Sequence, residues 1–360
     1  DHTRRSGWKK LVQRADSGNF DIGRQATWGM SVELITGGVL KKARVIDAPC
    51  PHLKLIQRAL LDKLISHVMP HDAAMAFVRG RSIALNARRH HGASHLFATD
   101  IRSFFHSVKS AHVEEMLRLR FPHFSQAFCK EIVGLVTSDG QLPQGAPTSP
   151  HIANLVMFGF DELCQEAADQ VNAVYTRYAD DISISSKDAA SLRSMENVVL
   201  MGLGAFDMEI HSGKTRHLGP RQTKLVTGLD IGGSRIRPTR AFRKKTAALV
   251  RMVEKYPGKM ERHRDTIRGY LSFWYDVDCA DLQLASLLEK MGRPNWAAKV
   301  REAAEERNLE ALRNSAEPSP KKDGPDGINR PYEIPHPYNR AAARIFTGKN
   351  RRWTTPPKNS

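Results

Sequence analysis

Apolar residues recur at helical spacing in several parts of the chain. The first such segment is 53–68, where leucine, isoleucine and valine return every three or four residues and predict one buried helix face. This stripe consists of Leu53, Ile56, Leu60, Leu61, Leu64 and Val68. Comparable patterns predict helices over 110–120, 149–169 and 189–206, and a mainly helical segment from 239 to 314.

Short runs of β-branched and aromatic residues predict strands between these helices. The runs cover 95–101, 173–178, 182–186 and 224–231. Only Ala179-Asp180-Asp181 separates the second run from the third, so these two runs predict a hairpin with an acidic turn.

The composition is that of a folded protein with a strong positive charge. Of the 360 residues, 41% are apolar and 26% are charged, which excludes a disordered chain. The 55 lysines and arginines outnumber the 38 acidic residues and give a formal net charge of +17. That charge favours a polyanionic partner, with nucleic acid ahead of a membrane because no amphipathic anchor is evident. Charge by itself identifies no function, since many basic proteins are simply soluble.

Export, membrane insertion and disulfide bonding are all disfavoured by the sequence. The chain starts with polar residues, and no apolar run approaches the roughly 18–20 residues of a membrane span. The four cysteines lie far apart with no C-x-x-C pair, which argues against a zinc ribbon and a disulfide framework. We therefore expect a protein of the reducing cytoplasm with no signal peptide and no membrane partner. Proline, glycine, lysine and asparagine dominate 315–360 and predict a flexible or extended basic tail.

Three carboxylates stand at the ends of predicted strands. Asp180 and Asp181 are adjacent in the hairpin turn, where they repel each other unless a cation lies between them. Asp100 lies near the end of the run 95–101. A surface turn and a helix cap are the ordinary alternatives, but together the three match the oxygen ligands that Mg²⁺ prefers. Two such ions roughly 3.5–4 Å apart can activate an attacking hydroxyl and stabilise a leaving pyrophosphate.

A loop rich in proline and glycine, LPQGAPTSP, spans 142–150 and runs into the helix predicted at 149–169. Exposed backbone N–H groups and the dipole at the start of that helix suit a phosphate or the backbone of a base pair. A loop of this composition before a helix is otherwise common.

Taken in order, these segments resemble the palm motifs of reverse transcriptases. The order is Asp100 followed by Phe105, then LPQGAPTSP, then Tyr178-Ala179-Asp180-Asp181. The combination is far more specific than any of its parts.

The resemblance extends to both sides of the palm motifs. Upstream, RVIDAP at 44–49 and FVRGRS at 77–82 are similar to finger segments of bacterial members. Downstream, HSGKT at 211–215 is similar to the motif that supplies a lysine near the incoming triphosphate. NARRH at 86–90 and VTG at 226–228 resemble the N-A-x-x-H and V-T-G elements of retron reverse transcriptases, which makes the retron type the leading subfamily. The I-P-K signature of the fingers is not found.

The resemblance, which covers about residues 40–275, implies an α+β right-hand polymerase. Its fingers precede a palm, built on an antiparallel sheet with flanking helices, and a helical thumb. The implied divisions are an N-terminal basic extension at 1–39, fingers at 40–99, a palm with finger insertions at 100–232, a thumb at 233–314 and the basic tail at 315–360.

The resemblance also implies roles for individual residues, including the binding of two Mg²⁺ ions, or Mn²⁺ in their place. The implied catalytic residues are Asp100, Asp180 and Asp181, and Ile101 joins them as a metal ligand. The implied nucleotide-binding residues are Arg44, Phe105, Gln144, Gly145 and Lys214. The implied RNA-binding residues are Asn86, His90, Thr227, Gly228, Arg240, Arg243, Lys244 and Lys245.

Several of these roles compete with plainer ones. Phe105 is implied to be a steric gate against the ribose 2′-OH, but a core phenylalanine is the alternative, and one of Phe104 and Phe105 should face the core. His90 is as well explained by a buried, hydrogen-bonded histidine. A solvated surface charge is the alternative for Arg44 and Lys214.

The thumb segment 239–268 carries ten lysines and arginines against three acidic residues. This excess favours contact with a nucleic-acid backbone over a merely solvated face.

The expected function is therefore RNA-templated DNA synthesis. Resemblance to retron enzymes implies a structured noncoding RNA as template and primer, dNTP substrates, priming from a guanosine 2′-OH, a branched RNA–DNA product (msDNA), and anti-phage defence with an effector protein. The alternatives are another bacterial defence-associated or group-II-intron-like reverse transcriptase, and a noncatalytic RNA-binding scaffold on a polymerase fold.

Overall fold

The computed structural model describes residues 8–12 and 45–316, with side chains described over 47–311. The chain divides into two compact units, residues 1–236 and 237–360, each with its own hydrophobic core. The predicted fingers, palm and thumb boundaries stay predictions.

The first unit contains most of the described strands. They are β1 (Trp8–Val12), β2 (Val45–Pro49), β3 (His95–Asp100), β4 (Val174–Tyr178), β5 (Asp181–Ser186), β6 (Arg216–Leu218), β7 (Leu225–Val226) and β8 (Leu229–Asp230). Its helices are α1 (Pro51–Lys63), α2 (Ile83–Arg89), α3 (Phe104–Ser107), α4 (Ser110–Arg120), α5 (Gln126–Val136), α6 (Ser149–Val156), α7 (Phe158–Gln170) and α8 (Ala189–Gly204). Short 3₁₀ turns occupy Ile65–His67 and Ser212–Lys214.

An antiparallel sheet with the strand order β4-β5-β3-β6 forms the centre of this unit. The predicted hairpin is confirmed, with Tyr178 paired to Asp181 at its closed end. β3 lies on the other side of β5, and its last residue, Asp100, is paired with Asp181. The sheet register therefore brings two sequence-distant aspartates directly opposite each other.

Helices α7 and α8 pack close together beside the sheet. The core of the unit combines residues of α4 to α8 with Phe97 on β3, Tyr175 on β4, and Ile182 and Ile184 on β5. A Cβ atom added at Gly202 would lie only 3.0 Å from Cδ2 of Phe160, so this glycine permits the close approach of α8 to α7.

The predicted buried stripe over 53–68 is only partly correct. The helix ends at Lys63, and Ile56 on the predicted stripe has 46% of its surface exposed. The buried residue of α1 is instead Gln57, whose Nε2 donates a hydrogen bond to the Leu135 carbonyl oxygen at 2.9 Å. The position is only partly satisfied, since Oε1 of Gln57 is buried with no hydrogen-bond partner among the described residues.

Two other predicted elements are subdivided. The single strand predicted at 224–231 is a short hairpin, β7 and β8, because Thr227 and Gly228 adopt positive φ angles of 47° and 79°. The helix predicted at 149–169 breaks at Met157 into α6 and α7.

The second unit begins with a short strand that the sequence did not predict, and the mainly helical segment predicted after it is observed. Its described elements are β9 (Arg237–Pro238), α9 (Arg240–Lys255), α10 (Pro257–Met260), α11 (Arg264–Val277), α12 (Leu282–Lys290), α13 (Pro294–Ala316) and a 3₁₀ turn at Glu261–His263. Trp274 lies at the centre of the core, and its indole N–H donates to Asp281 at 3.2 Å. Within the described residues, no helix has the length and apolarity to cross a membrane.

Candidate active site

The carboxylates of Asp100 and Asp181 meet at the ends of β3 and β5. The pairing of the two strands puts them opposite each other, and their side chains share a hydrogen bond. Asp180 lies in the adjoining turn, and its carbonyl oxygen accepts a hydrogen bond from the Ile101 N–H at 2.9 Å. The structure thus brings the carboxylates of Asp100 and Asp181 together and places Asp180 and the backbone of Ile101 beside them, while the predicted metal-binding roles stay predictions.

The two facing carboxyl groups have opposite protonation tendencies. Burial raises the pKa of Asp181 to about 8, helped by the hydrogen bond to Asp100 and by the charges of Asp100 and Asp180. Burial also works to raise the pKa of Asp100, but hydrogen bonds with Asp181 and Lys214 outweigh it and leave that pKa lowered. Without a further positive charge, the pair therefore holds a proton between its two carboxyl groups.

Lys214 supplies one positive charge to this pair. Its Nζ lies 2.9 Å from Oδ2 of Asp100, and that hydrogen bond raises the pKa of Lys214. The turn that carries Lys214 is tied to β3 by two contacts, from the His211 N–H to the Asp100 carbonyl oxygen at 2.7 Å and between the hydroxyls of Thr99 and Thr215 at 2.8 Å. Lys214 is therefore an exposed charge, with 55% of its side chain accessible, but one that is paired with Asp100.

The donor set at the pair fits a hard divalent cation. Two facing carboxylates that must otherwise share a proton are stabilised when a cation binds them, and oxygen ligands are those that Mg²⁺ prefers. Across the part of the chain that the structure describes, no three His, Cys, Asp or Glu side chains converge on one metal position. The fit therefore rests on the Asp100–Asp181 pair.

A cavity of about 370 Å³ opens beside the carboxylate pair. Its walls include Asp100, Asp181, Lys214, Thr227 and Gly228, so it connects the palm carboxylates with the V-T-G element. Other residues that line it were not singled out from the sequence, among them Ile83, Thr99 and Arg216. Arg216 follows Lys214 by two residues, and a sequence search for basic residues near that motif would have found it.

The V-T-G turn is packed against the start of α2. Two consecutive residues with positive φ, Thr227 and Gly228, make the tight turn that joins β7 to β8. The Thr227 hydroxyl donates to the carbonyl oxygen of Ile83 at 3.0 Å, and Ser82 caps α2 through the Leu85 N–H. The two elements that resemble retron enzymes are therefore neighbours in the fold.

Asn86 and His90 on α2 are buried, each with 1% of its surface exposed. The His90 ring bridges two palm strands, with Nδ1 2.8 Å from the Ser185 hydroxyl and Nε2 2.7 Å from the Thr176 hydroxyl. Burial lowers the pKa of His90 to about 3, so the ring is neutral. His90 is therefore the buried, hydrogen-bonded histidine that the sequence allowed as an alternative. The RNA contact predicted for Asn86 and His90 stays a prediction, and it would have to act through the surface above these two buried side chains.

The two phenylalanines after Asp100 separate as expected. Phe104 is buried, whereas Phe105 is half-buried, with its ring centroid 5.4 Å from that of Phe104. On the open side, the Phe105 ring lies 6.3 Å from the ring of Phe77. The gate role of Phe105 stays a prediction.

Gln144 and Gly145 are not among the residues that line the carboxylate cavity. Gln144 and Gly145 stand in the loop before α6, where the Gln144 carbonyl oxygen accepts from the Asp47 N–H at 2.9 Å. Arg44 falls outside the described residues. Four basic residues belong to the second unit at the start of α9: Arg240, Arg243, Lys244 and Lys245. Of these, only Arg243 is half-buried, and the other three are exposed.

Comparison of the chain with known proteins identifies its family. A family model described as "Reverse transcriptase (RNA-dependent DNA polymerase)" matches residues 36–231. The retron Ec73 reverse transcriptase of Escherichia coli is 34% identical over 257 residues, which cover 65% of this chain and 79% of that protein. The chain belongs to the retron-type reverse transcriptases. This confirms the predicted subfamily and the right-hand polymerase fold, and with it the enzyme class of RNA-directed DNA polymerases.

Other retron-type reverse transcriptases align over a similar share of this chain. The retron Ec86 enzyme of Escherichia coli is 28% identical over 67% of this chain and 74% of its own length. The retron Mx162 enzyme of Myxococcus xanthus is 29% identical over 66% of this chain, but only 56% of that longer protein is covered. Among solved structures, telomerase from Candida albicans in complex with a fragment of telomeric RNA has a TM-score of 0.45 and 11% identity, covering 70% of this chain and 61% of that chain.

Sequence reasoning missed one residue of this reverse transcriptase that contacts the turn carrying Asp180 and Asp181. Arg177, on β4, is completely buried, and its Nη1 donates to the carbonyl oxygen of Ala179 at 3.0 Å. Ala179 has a φ of 58°, a left-handed conformation that costs a residue with a side chain roughly 1–2 kcal/mol. A charged residue in an otherwise buried strand was the available signal.

Proposed function

We propose that this chain is the polymerase of a retron, which copies part of a structured noncoding RNA into DNA at the Asp100–Asp181 pair. The observation that carries the proposal is the shared cavity: the carboxylate pair and Lys214 line the same 370 Å³ space as the V-T-G turn. Family membership supports the chemistry, and the names of the retron relatives support the class of system.

Asp100 and Asp181 would hold Mg²⁺, with Asp180 and the backbone of Ile101 beside them. The bound metal would supply activation of the attacking hydroxyl and neutralisation of the triphosphate charge. Since the pKa of Asp181 is raised to about 8 by its surroundings, cation binding must compete with a proton at this pair.

Lys214 would neutralise charge on the leaving side of the reaction. Its ammonium already lies within hydrogen-bond distance of Asp100, on a turn whose position is fixed by backbone contacts. A lysine is a compact charge and a proton donor, both of which suit a departing pyrophosphate.

Phe105 would select deoxynucleotides by occupying the space that a ribose 2′-OH needs. Its half-buried ring lies between the rings of Phe104 and Phe77, with centroid distances of 5.4 and 6.3 Å. Gln144 and Gly145, at the loop before α6, and Arg44 would contact the incoming nucleotide.

The noncoding RNA would be bound by positive charge and by the surface around the V-T-G turn. Exposed Arg240, Lys244 and Lys245 give α9 a basic start that can follow a phosphate backbone. Initiation at a guanosine 2′-OH would leave a branched RNA–DNA product, and an effector protein would link this product to anti-phage defence.

Sequencing of the nucleic acid that copurifies with the full chain tests the proposal. We expect one RNA species joined to one DNA species, whose junction is cleaved by a 2′,5′-debranching enzyme. Unbranched, concatemeric or untemplated DNA would instead identify another class of defence reverse transcriptase, and RNA without DNA would favour the noncatalytic scaffold.

A further inference from the structure

A buried ion pair lies directly beneath the aspartate turn. Arg177 donates to both carboxylate oxygens of Asp161, with Nε–Oδ1 and Nη2–Oδ2 distances of 2.8 and 2.6 Å, and both residues are fully buried. The Tyr175 hydroxyl donates to the same Oδ1 at 2.7 Å. A buried ion pair is rarely more stable than an apolar pair of similar size, so its contribution to stability does not account for its presence.

The remaining guanidinium nitrogen of Arg177, Nη1, contacts the turn that carries Asp180 and Asp181. Nη1 donates to the carbonyl oxygen of Ala179 at 3.0 Å and to Oδ1 of Asn154 at 3.1 Å. Ala179 is the left-handed residue that immediately precedes Asp180. The guanidinium therefore fixes the peptide that orients the two aspartates.

Asn154 extends the hydrogen-bond network to the segment that precedes Phe77. Its Nδ2 donates to the carbonyl oxygen of Ala76 at 2.8 Å, and both residues are buried. The next residue, Phe77, has a φ of 60° and exposes 51% of its surface, with its ring 6.3 Å from that of Phe105. Core packing does not explain a half-exposed aromatic residue held in a left-handed conformation, a combination that points to a functional constraint.

The main chain of Arg177 holds the same segment. Its N–H donates to the Ala73 carbonyl oxygen at 2.8 Å, and its carbonyl oxygen accepts from the Met75 N–H at 2.7 Å. The guanidinium carbon of Arg177 also lies 5.7 Å from the ring centroid of Phe104. Arg177 thus contacts the aspartate turn and the segment that carries Phe77, and it lies near Phe104, which packs against the proposed gate residue Phe105.

We propose that Arg177 and Asn154 are positioning residues, which hold the aspartate turn and Phe77 in a fixed relation and so couple the catalytic rate to sugar selection. Phe77 would act as a second wall that keeps the Phe105 ring in place. The proposal rests on the proposed polymerase function. It adds a consequence that a merely structural network would not have, because disturbing it should change discrimination between ribonucleotides and deoxynucleotides.

Asn154→Ala tests the coupling, since Arg177 keeps its bonds to Asp161 and Ala179 in this variant. Asn197→Ala is the matched control, because Asn197 is an exposed asparagine on α8. On an RNA template with a DNA primer, we expect Asn154→Ala to lower kcat by about tenfold and discrimination against ribonucleotides by about fivefold. Template–primer affinity should stay within about twofold of the control.

Hydrogen–deuterium exchange adds a measurement that does not depend on activity. In Asn154→Ala, amide protons of segments 73–77 and 179–181 should both exchange faster, while β3 keeps its protection. Unchanged exchange in both segments, or a change in only one, would show that the network does not couple them.

Phe77→Leu removes an aromatic ring but leaves the buried network intact, since the Phe77 side chain is half-exposed. It should lower discrimination against ribonucleotides, and combining it with Asn154→Ala should add little further loss of discrimination. Unaltered discrimination in Phe77→Leu would overturn the proposal, as would additive effects in the double variant. If the parent chain synthesised no DNA on RNA, the proposed function would fail, whereas an active parent with an unaffected Asn154→Ala variant would refute only the coupling.

Discussion

Asp100 and Asp181 face each other across two strands, yet the surroundings treat their charges differently. Lys214 favours the ionised form of Asp100, while burial and neighbouring carboxylates favour the protonated form of Asp181. An arrangement of this kind costs stability and is typical of functional sites. At the scale of single residues, the site is thus adapted to receive positive charge.

Phe105→Ala tests the gate at the same scale. Removing the ring opens the space beside the sugar, so ribonucleotide incorporation should rise by about tenfold or more relative to deoxynucleotide incorporation. Primer extension with each nucleotide in competition measures the ratio. Phe128→Ala is the control, because Phe128 is an exposed phenylalanine on α5; an equal effect of the two variants would remove the gate role.

His90 holds helix α2 to the palm sheet. Because its ring is buried in the neutral form, we expect the folding stability of the chain to depend on pH. The pKa of His90 is about 3 in the folded chain and about 6.5 when unfolded. The unfolded state therefore binds more protons below pH 6.5, and folding stability is full above that pH and falls as the pH drops toward 3. At pH 5.5 the loss from this residue should be about 1.4 kcal/mol.

Denaturant unfolding at pH 7.5 and 5.5 measures that loss. His90→Gln should be less stable at pH 7.5 and should lose about 1.4 kcal/mol less than the parent chain on acidification. His123→Gln, at an exposed histidine, should retain the parent pH dependence. A parent-like pH dependence in His90→Gln would mean that the ring is not buried in its neutral form.

The turn between β7 and β8 makes a second prediction at this scale. Gly228 has a φ of 79° with no atom within 4 Å of an added Cβ, so Gly228→Ala should cost about 1 kcal/mol through backbone strain and not through a clash. Gly159, within α7 and equally open, is the control of opposite sign, since Gly159→Ala should stabilise the chain slightly. Thermal unfolding distinguishes the two, and a stabilising effect of Gly228→Ala would contradict the assigned turn.

How much of these elements the sequence predicts depends on how local their determinants are. The hairpin around Asp180 follows from adjacent residues, and it was predicted nearly to its boundaries. Arg177 on β4 was missed because its partners, Asn154 and Asp161, lie on the helices α6 and α7, and no local sequence pattern links them to it. The strand predicted at 224–231 was wrong because two positive φ angles at Thr227 and Gly228 turn the chain back.

Charge is the property that belongs to the whole molecule. The net charge of +17 coexists with acidic residues at the site, so we predict that RNA affinity and catalysis depend on different residues. Changing Arg240, Lys244 and Lys245 together to glutamine should weaken RNA binding and reduce its salt dependence by about 0.7 per lost phosphate contact. Affinity measured across a salt series checks this, and an unchanged slope would remove α9 from the RNA interface.

RNA-templated DNA synthesis by Asp181→Asn tests the central claim most directly. Asn preserves the size of the side chain but not the charge needed at the Asp100–Asp181 pair, and Asp62→Asn, at an exposed position on α1, is the matched control. With Mg²⁺, an RNA template and labelled dNTPs, the control should extend the primer like the parent chain, and Asp181→Asn should lose about a thousandfold or more in rate while still binding RNA. Extension by Asp181→Asn at the rate of the control would contradict the account.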